Sequence, residues 1–208
     1  MRTTKKVNIE TMIMHGKTVK KFAKRSLVVV DMPHKSYSNK IIAYKNAKKL
    51  IGQTNCDAVK LEGGKNISKI IKYLVQKKIP VMGHIGLLPQ HTNKFKLKGK
   101  SDLQKKKILD DAISITKAGV FSIVIECVVE SLAKEISKKV IVPTIGIGAS
   151  KNCDGQILVL DDMLGLTNYT PKFVKKYANL KRNIENSIKK YIADVKLRRF
   201  PSRRNVYK

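Results

Sequence analysis

The sequence lacks tryptophan and is poor in cysteine and in acidic residues. Its 208 residues include no Trp, 3 Cys and 15 Asp or Glu, against 44 Lys or Arg. The cysteines, Cys56, Cys127 and Cys153, contain no CxxC pair, so their number and spacing indicate neither a disulfide framework nor a zinc site. We therefore expect reduced thiols, as in proteins of the cytoplasm.

Long apolar runs are missing as well. No stretch of about 18 consecutive apolar residues occurs, so no transmembrane helix is predicted. The chain begins Met-Arg-Thr-Thr-Lys-Lys-Val-Asn, which lacks the apolar segment of a secretory signal peptide. Both absences favour a cytoplasmic protein with no membrane partner.

The shortage of acidic residues leaves a formal net charge of +29. A basic chain can bind nucleic acid, but 37 of its basic residues are Lys and only 7 are Arg, the residue that base readout and bidentate phosphate recognition favour. The lysines also spread over every predicted helix instead of clustering. We interpret them as solvated surface lysines and predict no nucleic-acid partner, although part of the charge could attract an anionic small substrate.

Short apolar runs alternate with segments of helical periodicity, which predicts an α/β fold with a parallel sheet. The predicted strands are 27–30, 58–61, 79–82, 121–125, 140–147 and 157–160. The predicted helices are 7–24, 38–51, 66–77, 101–118, 131–139 and 171–195. The spacing suits a TIM (β/α)₈ barrel, but only six of the eight strands are visible, so the barrel is incomplete at its N-terminus. We predict one partial barrel domain, 1–195, and a basic C-terminal tail, 196–208.

Polar residues close several of the predicted strands. They are Asp31, Lys60, Glu62, His84 and Glu126. Because the carboxyl ends of parallel strands meet at one edge of the sheet, we expect these side chains to converge. Lys60 and Glu62 lie two residues apart, so on a strand they share a face. The other interpretation of this pair is a partly exposed ion pair before a loop, which contributes little to stability.

These residue types suit metal-assisted acid–base chemistry. Asp31 and Glu62 offer carboxylate oxygens from neighbouring strands, the hard ligands that Mg²⁺ prefers. Lys60 could neutralise an anionic substrate. Glu126 ends an otherwise apolar strand, where partial desolvation would raise its pKa and suit a general base.

Six motifs, in order along the chain, resemble those of the ketopantoate hydroxymethyltransferase family. They are Val-Val-Val-Asp-Met-Pro (28–33), Asp-Ala-Val-Lys-Leu-Glu-Gly-Gly (57–64), Pro-Val-Met-Gly-His-Ile-Gly-Leu-Leu-Pro-Gln (80–90), Ile-Glu-Cys-Val (125–128), Pro-Thr-Ile-Gly-Ile-Gly-Ala (143–149) and Cys-Asp-Gly-Gln-Ile-Leu-Val-Leu (153–160). Together they cover nearly the whole chain.

The resemblance implies a TIM barrel of the phosphoenolpyruvate mutase/isocitrate lyase type. It implies an enzyme that transfers a hydroxymethyl group from 5,10-methylenetetrahydrofolate to 3-methyl-2-oxobutanoate, giving 2-dehydropantoate on the route to pantothenate and coenzyme A. Members of the family are cytoplasmic, Mg²⁺-dependent homo-oligomers, often decamers. The implied partners are therefore the two small-molecule substrates and further copies of the chain.

The resemblance also implies a role for each polar residue. Asp31 would bind both the metal and the keto acid, and Glu62 would be a second metal ligand. Lys60 would bind the substrate and Glu126 would accept a proton. His84 matches a motif histidine, for which we expect a supporting polar role.

The chain departs from the family pattern at one point. The family's second strand ends in Gly-Asp-Ser, whose Asp joins the metal site and whose Ser holds the substrate, and this chain contains no counterpart. The opening strand is absent too, in agreement with the strand count. We expect either two further strands encoded upstream or a truncated gene. The alternative functions are another Mg²⁺-dependent carbon–carbon bond lyase of the same superfamily and an inactive truncated remnant.

Overall fold

A computed structural model describes residues 4–92 and 95–207 of the chain, and residues 1–3, 93, 94 and 208 lie outside the described part. The chain forms two compact units, one that ends at Ile157 and one that begins at Leu158. The predicted organisation, a single domain to residue 195 followed by a tail, stays a prediction.

The first unit is built on a sheet of six parallel strands arranged in sequence order, and the sheet curls as half of a barrel. The strands are β1 (Val29–Asp31), β2 (Ala58–Glu62), β3 (Val81–Gly86), β4 (Ser122–Glu126), β5 (Thr144–Ile147) and β6 (Gly155–Gln156). Every neighbouring pair is parallel. The predicted fold class, an incomplete (β/α)₈ barrel with six visible strands, is confirmed.

Helices connect each strand to the next from β1 to β5, and a loop connects β5 to β6. The helices are α1 (Ile9–Phe22), which precedes the sheet, α2 (Lys40–Thr54), α3 (Ser68–Gln76), α4 (Asp102–Lys117) and α5 (Glu130–Lys139). The side chains of Asn8, Asn39 and Ser101 accept hydrogen bonds from backbone N–H groups in the first turns of α1, α2 and α4. Such caps satisfy donors that a helix N-terminus leaves unpaired, which is why these helices begin where they do.

The face of the sheet that packs against the helices carries the core. A Cβ added to Gly83 of β3 would come within 2.6 Å of Ile115 Cδ1 on α4, which shows that this side of β3 faces the helices. Alternate residues of the strands share that face because side chains alternate along a strand. The fully buried strand residues Val59, Leu61, Ile123 and Ile125 belong to the same hydrophobic cluster as the helical residues Ile71, Leu74, Ile115 and Ile136.

The register of the strands places the predicted site residues on the opposite face. Asp31 pairs with Lys60, Glu62 pairs with His84, and Gly86 pairs with Glu126. Paired residues of parallel strands point to the same side of the sheet, so all these polar side chains face away from the helices. His84 lies inside β3 and not at a strand end, because β3 continues to Gly86, beyond the predicted end at residue 82.

The predicted last strand, 157–160, is wrong. The sixth strand is Gly155–Gln156, and residues 160–163 form a short helix, α6 (Leu160–Met163), in the second unit. The Asp154 carboxylate accepts hydrogen bonds from the backbone N–H and the hydroxyl of Thr144, at 2.7 and 2.8 Å. This contact aligns the residues directly after Asp154 with β5, so pairing begins before the apolar run that suggested a strand.

The predicted helix 171–195 is wrong over residues 171–179. In the second unit the long helix α7 is Leu180–Lys196, and it is followed by a 3₁₀ turn at Arg203–Asn205. The side chain of Asn179 accepts a hydrogen bond from the backbone N–H of Arg182 and caps α7 at this point.

Among the described residues no helix combines the length and apolarity needed to cross a membrane.

Candidate active site

The polar face of the sheet lines a cavity of about 210 Å³. Its lining residues are Val7, Met12, Asp31, Pro33, Lys60, Glu62, His84, Pro89, Gln90 and Glu126. All the residues singled out from the sequence therefore lie at one site, although they come from four different strands. The convergence follows from the parallel arrangement of the strands and from their shared side-chain parity.

Lys60 lies at the centre of the charged cluster. Its Nζ is 3.1 Å from Asp31 Oδ2 and 3.1 Å from Nδ1 of His84. The Lys60 side chain is 15% exposed, while that of Asp31 is 41% exposed. The alternative interpretation, an ion pair of Lys60 with Glu62 at the surface, is wrong, because the partner is Asp31 and the ammonium group is largely enclosed.

Glu62 is held by the loop that follows β3. The backbone N–H of Gln90 donates to Glu62 Oε2 at 2.9 Å. The Gln90 amide nitrogen donates to the carbonyl oxygen of Met32 at 2.9 Å, and the Tyr37 hydroxyl donates to the Gln90 side-chain oxygen at 3.0 Å. Gln90 thus ties the loops after β1 and β3 to a buried carboxyl group.

Burial raises the pKa of Glu62 to about 7, and the negative charges of Asp31 and Glu126 add to the rise. The hydrogen bond from Gln90 and the charge of Lys60 lower the pKa but do not cancel the effect of burial. Glu62 therefore changes its charge near neutral pH, which makes its ionisation sensitive to any cation that enters the cavity.

Glu126 is positioned by a close approach of the backbone. Gly86 has φ +92°, and a Cβ at that position would lie 2.3 Å from the carbonyl oxygen of Glu126. The N–H of Leu87 donates to the same carbonyl oxygen at 2.8 Å. The backbone that carries Glu126 is therefore held by β3 on one side, and only glycine at residue 86 permits this packing.

The Glu126 side chain is 16% exposed, and its Oε2 lies 3.1 Å from Nε2 of His84. Burial raises the pKa of Glu126 to about 7, against the opposing charge of Lys60. A carboxyl group that titrates near the working pH is the kind of group that general acid–base catalysis needs. This is the environment that the sequence predicted for Glu126, but its catalytic role stays a prediction.

The residues present fit a magnesium ion that binds mainly through water and substrate. Within residues 4–92 and 95–207 no group of three or more His, Cys, Asp or Glu is arranged to hold a metal ion. Mg²⁺, however, is commonly held by one or two carboxylates, with water and substrate oxygens completing its coordination. Asp31, Glu62 and Glu126 place three carboxyl groups around one lysine in the cavity, a charge imbalance that favours a cation.

Sequence reasoning missed Gln90 and Tyr37. Gln90 stands in the motif at 80–90, yet nothing in the sequence shows that it contacts Glu62. Tyr37 lies in the loop after β1, and burial raises the pKa of its hydroxyl above the ordinary value. The only signal was the proximity of both residues to strand ends, where catalytic and binding loops occur in this class of fold.

Comparison with known proteins decides the family. A family model described as ketopantoate hydroxymethyltransferase matches residues 1–203. The chain belongs to the ketopantoate hydroxymethyltransferase family. The family is one of transferases, and the resemblance drawn from the motifs is thereby confirmed.

Named relatives agree with this assignment. The chain is 53% identical over 205 residues to a 3-methyl-2-oxobutanoate hydroxymethyltransferase of Pelagibacter ubique, which covers 99% of the chain and 80% of the relative. It is 48% identical over 210 residues to the enzyme of the same name from Anaplasma marginale, which covers 100% of the chain and 76% of the relative. These similarities support ketopantoate hydroxymethyltransferase activity.

A solved structure shows the fold alone. A putative phosphonomutase from Burkholderia cenocepacia superposes with a TM-score of 0.51 at 10% sequence identity. The match covers 92% of this chain and 79% of the other. It supports the barrel-type arrangement of parallel strands and carries no information about the reaction.

Proposed function

We propose that the chain transfers a hydroxymethyl group from 5,10-methylenetetrahydrofolate to 3-methyl-2-oxobutanoate, giving 2-dehydropantoate for pantothenate and coenzyme A synthesis in the cytoplasm. One observation carries the proposal beyond the family: a cavity of about 210 Å³ combines the largely enclosed Lys60 with Glu126, a partly buried carboxyl group whose pKa is raised to about 7. The first group suits the carboxylate of a small keto acid, and the second suits removal of its C3 proton.

Lys60 is the proposed binding group for the substrate carboxylate. Its ammonium group already contacts Asp31 Oδ2 at 3.1 Å, which fixes its position in the cavity. The low exposure of Lys60 strengthens its attraction for an anion, because water screens the interaction less. Asp31 orients the ammonium group of Lys60. The part of the Asp31 carboxylate that is exposed to the cavity would face the keto group of the substrate.

Asp31 and Glu62 are the proposed holders of Mg²⁺. When bound, the ion would polarise the keto oxygen of the substrate and make the C3 proton more acidic. The hydrogen bond from the Gln90 N–H to Glu62 Oε2 leaves Glu62 Oε1 as the oxygen available to a metal or its bound water. Gln90 and Tyr37 keep this carboxyl group in place.

Glu126 is the proposed proton acceptor. The C3–H bond breaks, the proton passes to the Glu126 carboxylate, and the electron pair forms the enolate of the keto acid. The enolate carbon then forms a bond to the one-carbon unit, whose bonds to the folate nitrogens break. One water is consumed, and its hydroxyl group ends on the transferred carbon. The remaining proton of the water and the proton from C3 end on the two folate nitrogens.

The proton-transfer step can be measured without folate. The 208-residue chain with Mg²⁺ and 3-methyl-2-oxobutanoate in D₂O should exchange the C3 proton, as followed by ¹H NMR, and should form 2-dehydropantoate when the folate donor is added. Glu126→Gln should lower the exchange rate by about 10²–10⁴-fold, because glutamine keeps the size but cannot accept the proton.

A matched control separates loss of the base from loss of charge. Glu135 lies on α5, away from the cavity, in a surface ion pair with Lys139. Glu135→Gln removes the same charge and should exchange at the wild-type rate. Exchange by Glu126→Gln at the wild-type rate would exclude Glu126 as the base, and absence of both exchange and turnover in the unmodified chain would reject the proposed function.

A further inference from the structure

His84 lies between the two groups that the proposed reaction uses. It is 2% exposed and belongs to the middle of β3. Its Nδ1 is 3.1 Å from Lys60 Nζ, and its Nε2 is 3.1 Å from Glu126 Oε2. The imidazole ring therefore spans the distance from the proposed substrate-binding cation to the proposed base.

The contact with Lys60 decides where the imidazole proton lies. A lysine ammonium group can only donate hydrogen bonds, so Nδ1 of His84 must accept at 3.1 Å. A proton on Nδ1 would place two donors against each other in a buried site. Glu62 Oε1, at 4.0 Å from the same nitrogen, is too distant to accept a hydrogen bond from it. The proton is therefore on Nε2, the nitrogen that faces Glu126.

Because Nδ1 accepts a hydrogen bond from Lys60, it carries no proton, so the ring holds a single proton and is neutral. Nε2 has no hydrogen-bond partner of good geometry among the described residues, although Glu126 Oε2 is 3.1 Å away. A buried N–H that lacks a partner is costly, and Glu126 Oε2, at 3.1 Å, is an acceptor within hydrogen-bond distance of it. Catalytic hydrogen bonds are often poorly aligned before substrate binds.

We propose that His84 is a positioning residue which, as its neutral Nε2–H tautomer fixed by Lys60, donates to Oε2 of Glu126 and leaves Oε1 to accept the C3 proton. The inference deepens the proposed function and rests on it. The same tautomer excludes His84 itself as the base. The lone pair on Nδ1 accepts a hydrogen bond from Lys60, and Nε2, which faces Glu126, already carries a proton. The other charged groups that act on Glu126 are Asp31, Lys60 and Glu62.

The tautomer can be read directly, without turnover. In the 208-residue chain labelled with ¹⁵N-histidine, long-range ¹H–¹⁵N correlation spectra distinguish the Nε2–H form, the Nδ1–H form and the charged ring. We expect the His84 signals, assigned by their loss in His84→Gln, to show the Nε2–H form at neutral pH. An Nδ1–H or doubly protonated ring would overturn the proposal.

Two substitutions then test what the Nε2–H group does. The amide nitrogen of glutamine reaches about as far as Nε2 of histidine, whereas that of asparagine reaches only as far as Nδ1. His84→Gln should therefore keep the C3 exchange rate within about 10-fold of wild type, while His84→Asn should lower it by about 10–100-fold, the loss expected for a hydrogen bond to a charged group. The KM for the keto acid should differ little between the two variants.

The pH profile separates positioning from a purely structural role. Loss of the Nε2–H donor destabilises the charged form of Glu126, so the apparent pKa of Glu126 should rise further. The ascending limb of the exchange profile should therefore move to higher pH in His84→Asn but not in His84→Gln. Equal rates and unshifted profiles in the two variants would overturn the proposal.

A matched histidine provides the control. His15 is exposed on α1, so His15→Gln should leave the exchange rate and its pH profile unchanged. Thermal unfolding of each variant shows whether a lost rate reflects lost folding. If the unmodified chain shows neither exchange nor turnover, the proposed function fails. The tautomer spectrum, together with a change of the His84 Nε2 chemical shift in Glu126→Gln, still decides whether the two side chains interact.

Discussion

The two faces of the half-barrel sheet differ in nearly every physical respect. On the helix side, Val59, Leu61, Ile123 and Ile125 are fully buried and uncharged. On the cavity side, the neighbouring residues of the same strands are Lys60, Glu62 and Glu126, with His84 between them. One strand can therefore serve stability and chemistry at once, because consecutive side chains point in opposite directions.

The separation predicts opposite consequences for adjacent residues of β4. Ile125→Ala should lower the free energy of unfolding by about 2–5 kcal/mol, since it removes a buried side chain from the core. Glu126→Gln should leave the free energy of unfolding at pH 7 unchanged or higher while it lowers the exchange rate by about 10²–10⁴-fold. Chemical denaturation of both variants checks this, with Ile125→Val as a milder core change of about 0.5–1.5 kcal/mol. If Ile125→Ala had the same free energy of unfolding as the unmodified chain, the helix-facing side of the sheet would contribute less to stability than its burial indicates.

The cavity face should make stability depend on pH. The pKa values of Glu62 and Glu126 are raised to about 7 in the folded chain, from the ordinary 4.5, so the folded state binds more protons than the unfolded state between these values. Their contribution is therefore fully present below about pH 4.5 and is lost as the pH rises through about 7, by up to about 3 kcal/mol for each group.

Urea unfolding at pH 5 and pH 7 measures this loss. The two carboxyl groups interact, so the combined effect should be less than the sum of the two. In the Glu62→Gln/Glu126→Gln double variant this part of the pH dependence should disappear. An unchanged pH dependence in that variant would show that the carboxyl groups have ordinary pKa values in solution.

A smaller effect is expected from magnesium. If Asp31 and Glu62 hold the ion, Mg²⁺ at 100 times its Kd should raise the free energy of unfolding by about 2.7 kcal/mol. The increase should be smaller near pH 5, because Glu62 is then protonated. Isothermal titration calorimetry of the unmodified chain and of Glu62→Gln gives the affinity directly. Equal binding by both proteins would remove Glu62 from the metal site, whereas the surface variant Glu135→Gln should bind as the wild type does.

Much of this architecture could be predicted from the sequence because it depends on local patterns. The helical periodicity of α1 and α4 predicted helices that the structure contains. The predictions failed where a distant contact competes with a local pattern. Asp154 begins β6 ahead of the apolar run 157–160, and Asn179 starts α7 well after Pro171.

The residues available for chemistry follow from the sequence, and the alternation of polar and apolar residues sets the side of each strand on which they lie. Folding alone brings Lys60 to Asp31 and His84 and places Gln90 and Tyr37 where they hold Glu62. Burial in the folded chain then raises the pKa values of two carboxyl groups to about 7. The physical reason is that periodicity is a property of neighbouring residues, whereas hydrogen-bond geometry and desolvation depend on groups that come from different strands and loops.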